Sequence, residues 1–157
     1  MAKVAIGGGK CLIYKNLVYI LITVSSLNSS EDLKDYKFFV FNEKVLYFKI
    51  DFDRYTNHRA NYYNRDKELQ MFGEKLCPPN FEKKIVMPIN LNKMIEYAEK
   101  LSQGIPFLRV DFYEINGKLY FGELTFYPAN GMGAFIPSEW DAKLGALMSI
   151  NNIDRDE

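Results

Sequence analysis

The sequence predicts an α+β domain in which helices pack on an antiparallel sheet. Two aromatic-rich strand pairs, at 37–51 and 109–128, and two segments with apolar residues at helical spacing, at 91–102 and after Pro137, point to it. The order of strands, helix, hairpin and helix places it in the α+β class. At 157 residues, 48% hydrophobic and 15% aromatic, the chain can bury one sizeable core and is short for two.

Taken in order, the run "LVYILITV" at 17–24 is bounded by Lys15 and Asn16 before and "SSLNSS" after. It is far short of a membrane span. We expect a buried strand; a cleavable leader is the alternative, with lysines upstream and small residues at Ser25 and Ser26, but the upstream region is long and strand-like. "SSLNSSED" marks a surface loop. This divides the chain into an N-terminal segment (1–30), a main domain (31–150) and a polar tail (151–157).

Residues 37–42, "KFFVFN", and 44–51, "KVLYFKID", read as strands joined tightly at Asn42 and Glu43. From Asp53 to Lys75 the chain turns polar, and it closes with "CPPN", whose prolines forbid regular structure. A long loop or irregular edge is expected there. Leu91, Met94, Ile95, Ala98 and Leu101 share one helical face, with Asn90 available as a cap and Gly104 as a stop. A last helix is announced by Pro137, by Ser138 and Asp141 in capping-box spacing, and by Trp140, Leu144, Leu147 and Met148.

Twenty basic side chains balance twenty acidic ones, so the chain lacks the positive field that drives nucleic-acid binding. Cys11 and Cys77 form no CxxC pair, and His58 is the single histidine. The thiols read as reduced and buried, in a cytoplasmic protein. "GGGKC" at 7–11 is not a phosphate-binding loop: Val4 stands where that motif needs glycine, and Cys11 where Ser or Thr must reach magnesium. His58 reads as a solvated loop residue, since the sequence offers it no fixed partner.

The stretch "RVDFYEINGKLYFGELTFYP" (109–128) holds Asp111 and Glu123 among aromatic and branched neighbours. Burying carboxylates without partners is costly, so a cation or a set of donors should accompany them. A two-residue turn at Asn116 and Gly117 puts the two acids on opposite faces. A three-residue loop from Ile115 to Gly117, ending in a G1 bulge, segregates the faces better. It gathers Val110, Phe112, Tyr120, Leu124 and Phe126 on an apolar face, and Arg109, Asp111, Tyr113, Phe121, Glu123 and Thr125 on the other. That register sets Arg109 opposite Glu123 with Asp111 on the diagonal, the carboxylates on the order of 7 Å apart at the backbone. Such a pair suits a hard, oxygen-bound ion such as magnesium. An ordinary cross-strand ion pair is the alternative, and both stay open on residue types alone.

The same hairpin resembles the metal-binding hairpin of the ATP-grasp superfamily. With "DYKFFVFN" at 35–42, "IPFLRVDFYE" and the "EWDAKLG" tail, it closely resembles the TupA-like ATP-grasp family, named after teichuronopeptide biosynthesis, over roughly 31–147. The resemblance implies the C-terminal lobe of an ATP-dependent carboxylate-amine ligase, in which ATP phosphorylates a carboxylate and an amine attacks the acyl phosphate. It implies ATP and Mg2+ as cofactors and a link to surface polysaccharide or polypeptide synthesis. Asp111 and Glu123 would be metal ligands, with Thr125 where many relatives have asparagine. Arg109 would contact phosphate or the intermediate, and Lys37, Arg54, Arg59 and Lys67 would face the nucleotide. The family's glycine-rich, lysine-bearing nucleotide segment has no counterpart here, and Tyr14 stands about where an acidic hinge residue belongs. The implied partners are therefore a separate lobe or a second copy of the chain, with self-association or poor solubility expected.

Two further readings compete with the ligase lobe. One is a degenerate module that keeps the fold and binds a partner chain. The other is a metal-dependent nuclease, whose hairpin carries an acid and then Glu-x-Lys; Thr125 in the lysine's place and the zero net charge argue against it.

Overall fold

In a computed structural model, residues 34–148 are described, together with the backbone of 5–6 and 9–10. The chain divides into two units, Met1–Glu31 and Asp32–Glu157. In the first, β1 (Ala5–Ile6) and β2 (Gly9–Lys10) form an antiparallel pair. The strand expected at 17–24, Cys11 and the tail at 151–157 lie outside the described residues.

The second unit is built on a six-stranded antiparallel sheet, ordered β6-β5-β4-β3-β8-β9. Its strands are β3 (Asp35–Phe41), β4 (Lys44–Phe52), β5 (Arg59–Asn64), β6 (Leu69–Gln70), β8 (Phe107–Ile115) and β9 (Lys118–Thr125). β3 and β4 join at Asn42 and Glu43, with φ of 46° and 66°. Two left-handed residues make the turn whose twist matches the flanking strands. Glu43 is held there by its carboxylate, which accepts the Gly104 amide at 2.7 Å.

Alternation along β3 separates Tyr36, Phe38 and Val40 from Asp35, Lys37, Phe39 and Phe41. The first set meets α1 (Leu91–Leu101), whose Leu91, Met94, Ile95 and Ala98 pack with Phe38, Phe48, Ile50, Leu108, Val110 and Phe112. Each large side chain buried there contributes about 1.5–3 kcal/mol. On the opposite face, Phe39, Phe41 and Tyr62 are covered by Phe72, Trp140 and Leu144. Those residues come from the region of β7 (Gly73–Glu74), β10 (Phe135–Ile136) and α2 (Glu139–Gly145).

Several expectations need correction. The segment 53–75 is not a loop: it contains β5, β6 and β7. Its polar composition hides a strand because Asn61, fully buried, exchanges two hydrogen bonds with the Asn80 backbone at 2.7 and 2.8 Å. Neither anticipated cap forms. Ser138 has helical dihedrals (φ −63°, ψ −22°) and makes no side-chain cap bond, whereas a capping side chain needs an extended backbone. Asp141 instead accepts the Phe135 amide. The Asn90 side chain donates to Glu114 and to the Gly117 carbonyl. Met148, expected on the apolar face of the last helix, is exposed.

The 109–128 hairpin also differs. Its turn is the two-residue Asn116-Gly117, with φ of 51° and 70° and Ile115 opposite Lys118. Asn-Gly is the strongest signal for that turn and overrides the cleaner face segregation of the longer loop. The ladder then slips between Val110↔Leu124 and Phe112↔Phe121, so Gly122 and Glu123 together oppose Asp111 as a β-bulge. The bulge returns Glu123 to the face of Asp111. It also places Arg109 opposite Thr125 rather than Glu123, and Tyr120 opposite Tyr113. Phe121 packs into the α1 core, while Phe126 is exposed. A Cβ on Gly122 would lie 2.9 Å from the Asp111 carbonyl oxygen, so only glycine fits.

Candidate ligand-binding face

Beyond the aromatic cover, the face that carries Phe39 and Phe41 changes from apolar to charged. Lys37 on β3 lies opposite Asp111 on β8 and donates to Asp111 Oδ2 at 2.8 Å and to Asp35. Arg109 holds Asp111 with two bonds, Nε to Oδ1 and Nη2 to Oδ2, both 2.8 Å, and reaches Glu123 Oε1 at 2.6 Å. Thr125 donates its hydroxyl to the same Glu123 oxygen at 3.1 Å. Arg54 Nη1 stands 3.3 Å from Asp35 Oδ2. Asp35 and Asp111 are each 1% exposed, whereas the Glu123 side chain is 61% exposed. The group thus runs from a buried base to a solvent-facing rim.

Next to it, Lys49 on β4 donates to Glu74 Oε2 at 2.8 Å and lies 3.7 Å from Asp51 Oδ1. The Tyr62 hydroxyl donates to Glu74 Oε1 at 2.5 Å, and His58 Nε2 is 3.3 Å from Asp51 Oδ2. His58 therefore has a fixed partner, contrary to its reading as a solvated loop residue. Its partner lies seven residues away in sequence and is brought close by the pairing of β4 with β5. Cys77 is a buried free thiol, as expected.

Burial shapes the protonation of these groups. Burial alone would lower the Lys37 pKa, but the Asp111 and Asp35 carboxylates outweigh it and hold the ammonium above its ordinary value. Burial raises Asp35, with the Asp111 charge adding and Lys37 opposing. Burial also pushes Glu74 up, yet Lys49 and the Tyr62 hydroxyl prevail and keep it below the usual range. Burial, with the Asp51 charge, drives the Cys77 thiol up to about 11.

The structure brings Lys37, Arg54, Arg109, Asp111, Glu123 and Thr125 onto one patch. Arg59 lies at the start of β5, where its Nε donates to Asn57 Oδ1 at 3.2 Å. Lys67 occupies the exposed turn between β5 and β6, in the left-handed region with φ of 70°. Neither touches the patch. Sequence reasoning missed Asp35, Lys49, Asp51 and Glu74. The signal for three of them was available: Asp35-x-Lys37 and Lys49-x-Asp51 place charges two apart in otherwise apolar strands, hence on one face.

The donor set fits a hard divalent cation. Asp111, Glu123 and Thr125 offer oxygen alone, and Asp35 Oδ1 is buried without a hydrogen-bond partner. An antiparallel sheet with a helix on one face and paired acids on a hairpin of the other has the architecture of an ATP-grasp C-terminal lobe. Residues 9–149 match the TupA-like ATPgrasp family, and the chain belongs to that family. Comparisons with curated proteins and with solved structures found no match. No helix among the described residues is long and apolar enough to cross a membrane.

Proposed function

We propose that this face binds MgATP and serves a carboxylate-amine ligase. The observation that carries the proposal is the junction at Arg109, one guanidinium bonded to both Asp111 and Glu123, with Lys37 behind it. Three acids (Asp35, Asp111, Glu123) meet three cations (Lys37, Arg54, Arg109) in this patch. Its net charge is therefore zero until a ligand arrives. Magnesium, when bound, would neutralise phosphate oxygens during transfer.

Asp111 and Glu123 would hold the ion, Thr125 orienting Glu123 through its hydroxyl. Arg109 and Lys37, released in part from the acids, would turn their N–H donors to phosphate and to the acyl phosphate formed on the substrate carboxylate. Such catalysis is positioning and charge stabilisation, which preorganised cations supply. The setting we propose is the cytoplasm, and the product class is a surface polysaccharide or polypeptide carrying the new amide.

A second reading has an observation of its own. Both Asp111 oxygens are already filled by Arg109 and Lys37, as in a module that keeps the fold with a structural ion network and binds a partner chain. Calorimetric titration of MgATP into the protein and into an Asp111→Asn, Glu123→Gln double variant separates the two. The ligase reading expects binding that the double variant loses while remaining folded by circular dichroism. Absence of binding to the wild-type chain supports the structural network instead.

A further inference from the structure

We propose a second, softer metal site formed by Asp51, His58 and Cys77, suited to Zn2+ and separate from the Asp111 hairpin. One carboxylate oxygen of Asp51, a ring nitrogen of His58 and the Cys77 sulfur lie within 4.8 Å of one another. These come from three places: the end of β4, the residue before β5, and the turn after β7, which the Cys77 amide closes onto the Glu74 carbonyl at 3.2 Å. Sulfur, imidazole nitrogen and carboxylate oxygen together are the ligands of zinc rather than of magnesium.

Two observations support a metal over a plain hydrogen bond. His58 Nε2 and Asp51 Oδ2 are 3.3 Å apart, at the long end of hydrogen-bond distances. Two ligands at the zinc–nitrogen and zinc–oxygen distances in a tetrahedron stand about 3.3 Å apart. Independently, Asp51 is 3% exposed, yet its Oδ1 has no hydrogen-bond partner. A buried carboxylate oxygen that faces Lys49 only at 3.7 Å, beyond hydrogen-bond reach, is costly, and a metal ion shared by this acid offsets it.

The charges agree. On binding, the Cys77 thiol releases its proton to solvent, so the thiolate and the Asp51 carboxylate together neutralise Zn2+. Lys49 keeps its own partner in Glu74 at 2.8 Å. The His58 side chain, 37% exposed, leaves an entry path and a fourth position for water. Asp51 and Asp111 sit two strands apart on the same face, roughly 10 Å at the backbone. The ion would tie β4, the approach to β5 and the β7 turn together at the edge of the ligand face. This inference does not depend on ATP binding.

Cobalt(II) is the probe, titrated into metal-free full-length protein carrying Cys11→Ser, so that Cys77 is the remaining thiol. We expect one equivalent to bind with a near-ultraviolet thiolate-to-cobalt charge-transfer band. Cys77→Ala should abolish the band, His58→Gln should weaken binding at least tenfold, and excess magnesium should leave the band in place. In the same background, zinc should protect Cys77 from alkylation at least tenfold, a readout that needs no further variant. No band with no protection overturns the site, as does displacement of cobalt by magnesium.

Discussion

One face of the sheet carries two regions that obey different rules, although the same strands build both. Along β3, Phe39 and Phe41 lie under an aromatic cover in which Trp140 stacks on Phe72 at 3.9 Å and Tyr62 meets Phe72 at 4.5 Å. Two residues further back on the same strand face, Lys37 and Asp35 sit as deeply buried among ions. The aromatic half is held by area and fit, which nothing replaces. The ionic half is held by partners that the proposed ligand would replace, because a buried ion pair gains little net stability over its desolvation cost. Burial does not separate the two halves; the chemistry of what is buried does.

The contrast can be broken most forcefully at Phe72. Phe72→Ala should cost about 3–5 kcal/mol, seen in chemical denaturation, because the ring is fully buried beneath Trp140. On the ionic side, Asp111→Asn should cost about 3–5 kcal/mol as well, since it strips Arg109 and Lys37 of their shared acid. Unlike the Phe72 loss, part of that cost should be recovered by inorganic phosphate, which can pair with Arg109 and Lys37 without a metal ion.

Gly122→Ala should be milder, at about 1–3 kcal/mol by the same assay. Its Cβ would press on the Asp111 carbonyl and shift the bulge that aims Glu123. Glu123→Gln should change stability by about 0.2–1 kcal/mol, as for an exposed pair, while removing metal-dependent ligand binding.

The helix-covered face supplies a control for pH. Burial would raise Glu99, but the Arg65 guanidinium and the Val45 amide outweigh it and hold it below its ordinary value. A carboxylate lowered in the folded state stabilises the fold above its unfolded pKa, and that contribution is lost as pH falls through the folded one. Glu99→Gln should therefore lower stability at neutral pH, leave it little changed at acid pH, and so flatten the acid side of the profile measured by chemical denaturation across pH.

Much of this arrangement was legible in the sequence. The β3-β4 hairpin, α1 and the acid-bearing hairpin follow from period and turn residues, because each is local. The grouping of Arg109, Asp111, Glu123 and Thr125 was also legible, but by compensation: the turn is shorter than face segregation suggested, and the bulge at Gly122 and Glu123 restores the parity. A bulge leaves no pattern beyond its glycine. β5 stayed hidden because Asn61 is satisfied by Asn80 across 19 residues. The Asp51–His58 contact depends in the same way on strand pairing rather than on local pattern.

The most direct measurement is manganese(II) binding, followed by electron paramagnetic resonance in place of magnesium, with and without ATP, for wild type and Glu123→Gln. Because Arg109 and Lys37 fill Asp111 in the free protein, we expect manganese bound in an ATP-dependent manner to wild type and lost in the variant. ATP-independent binding, or equal binding to both proteins, would contradict the exchange of ion pairs for ligand at this face.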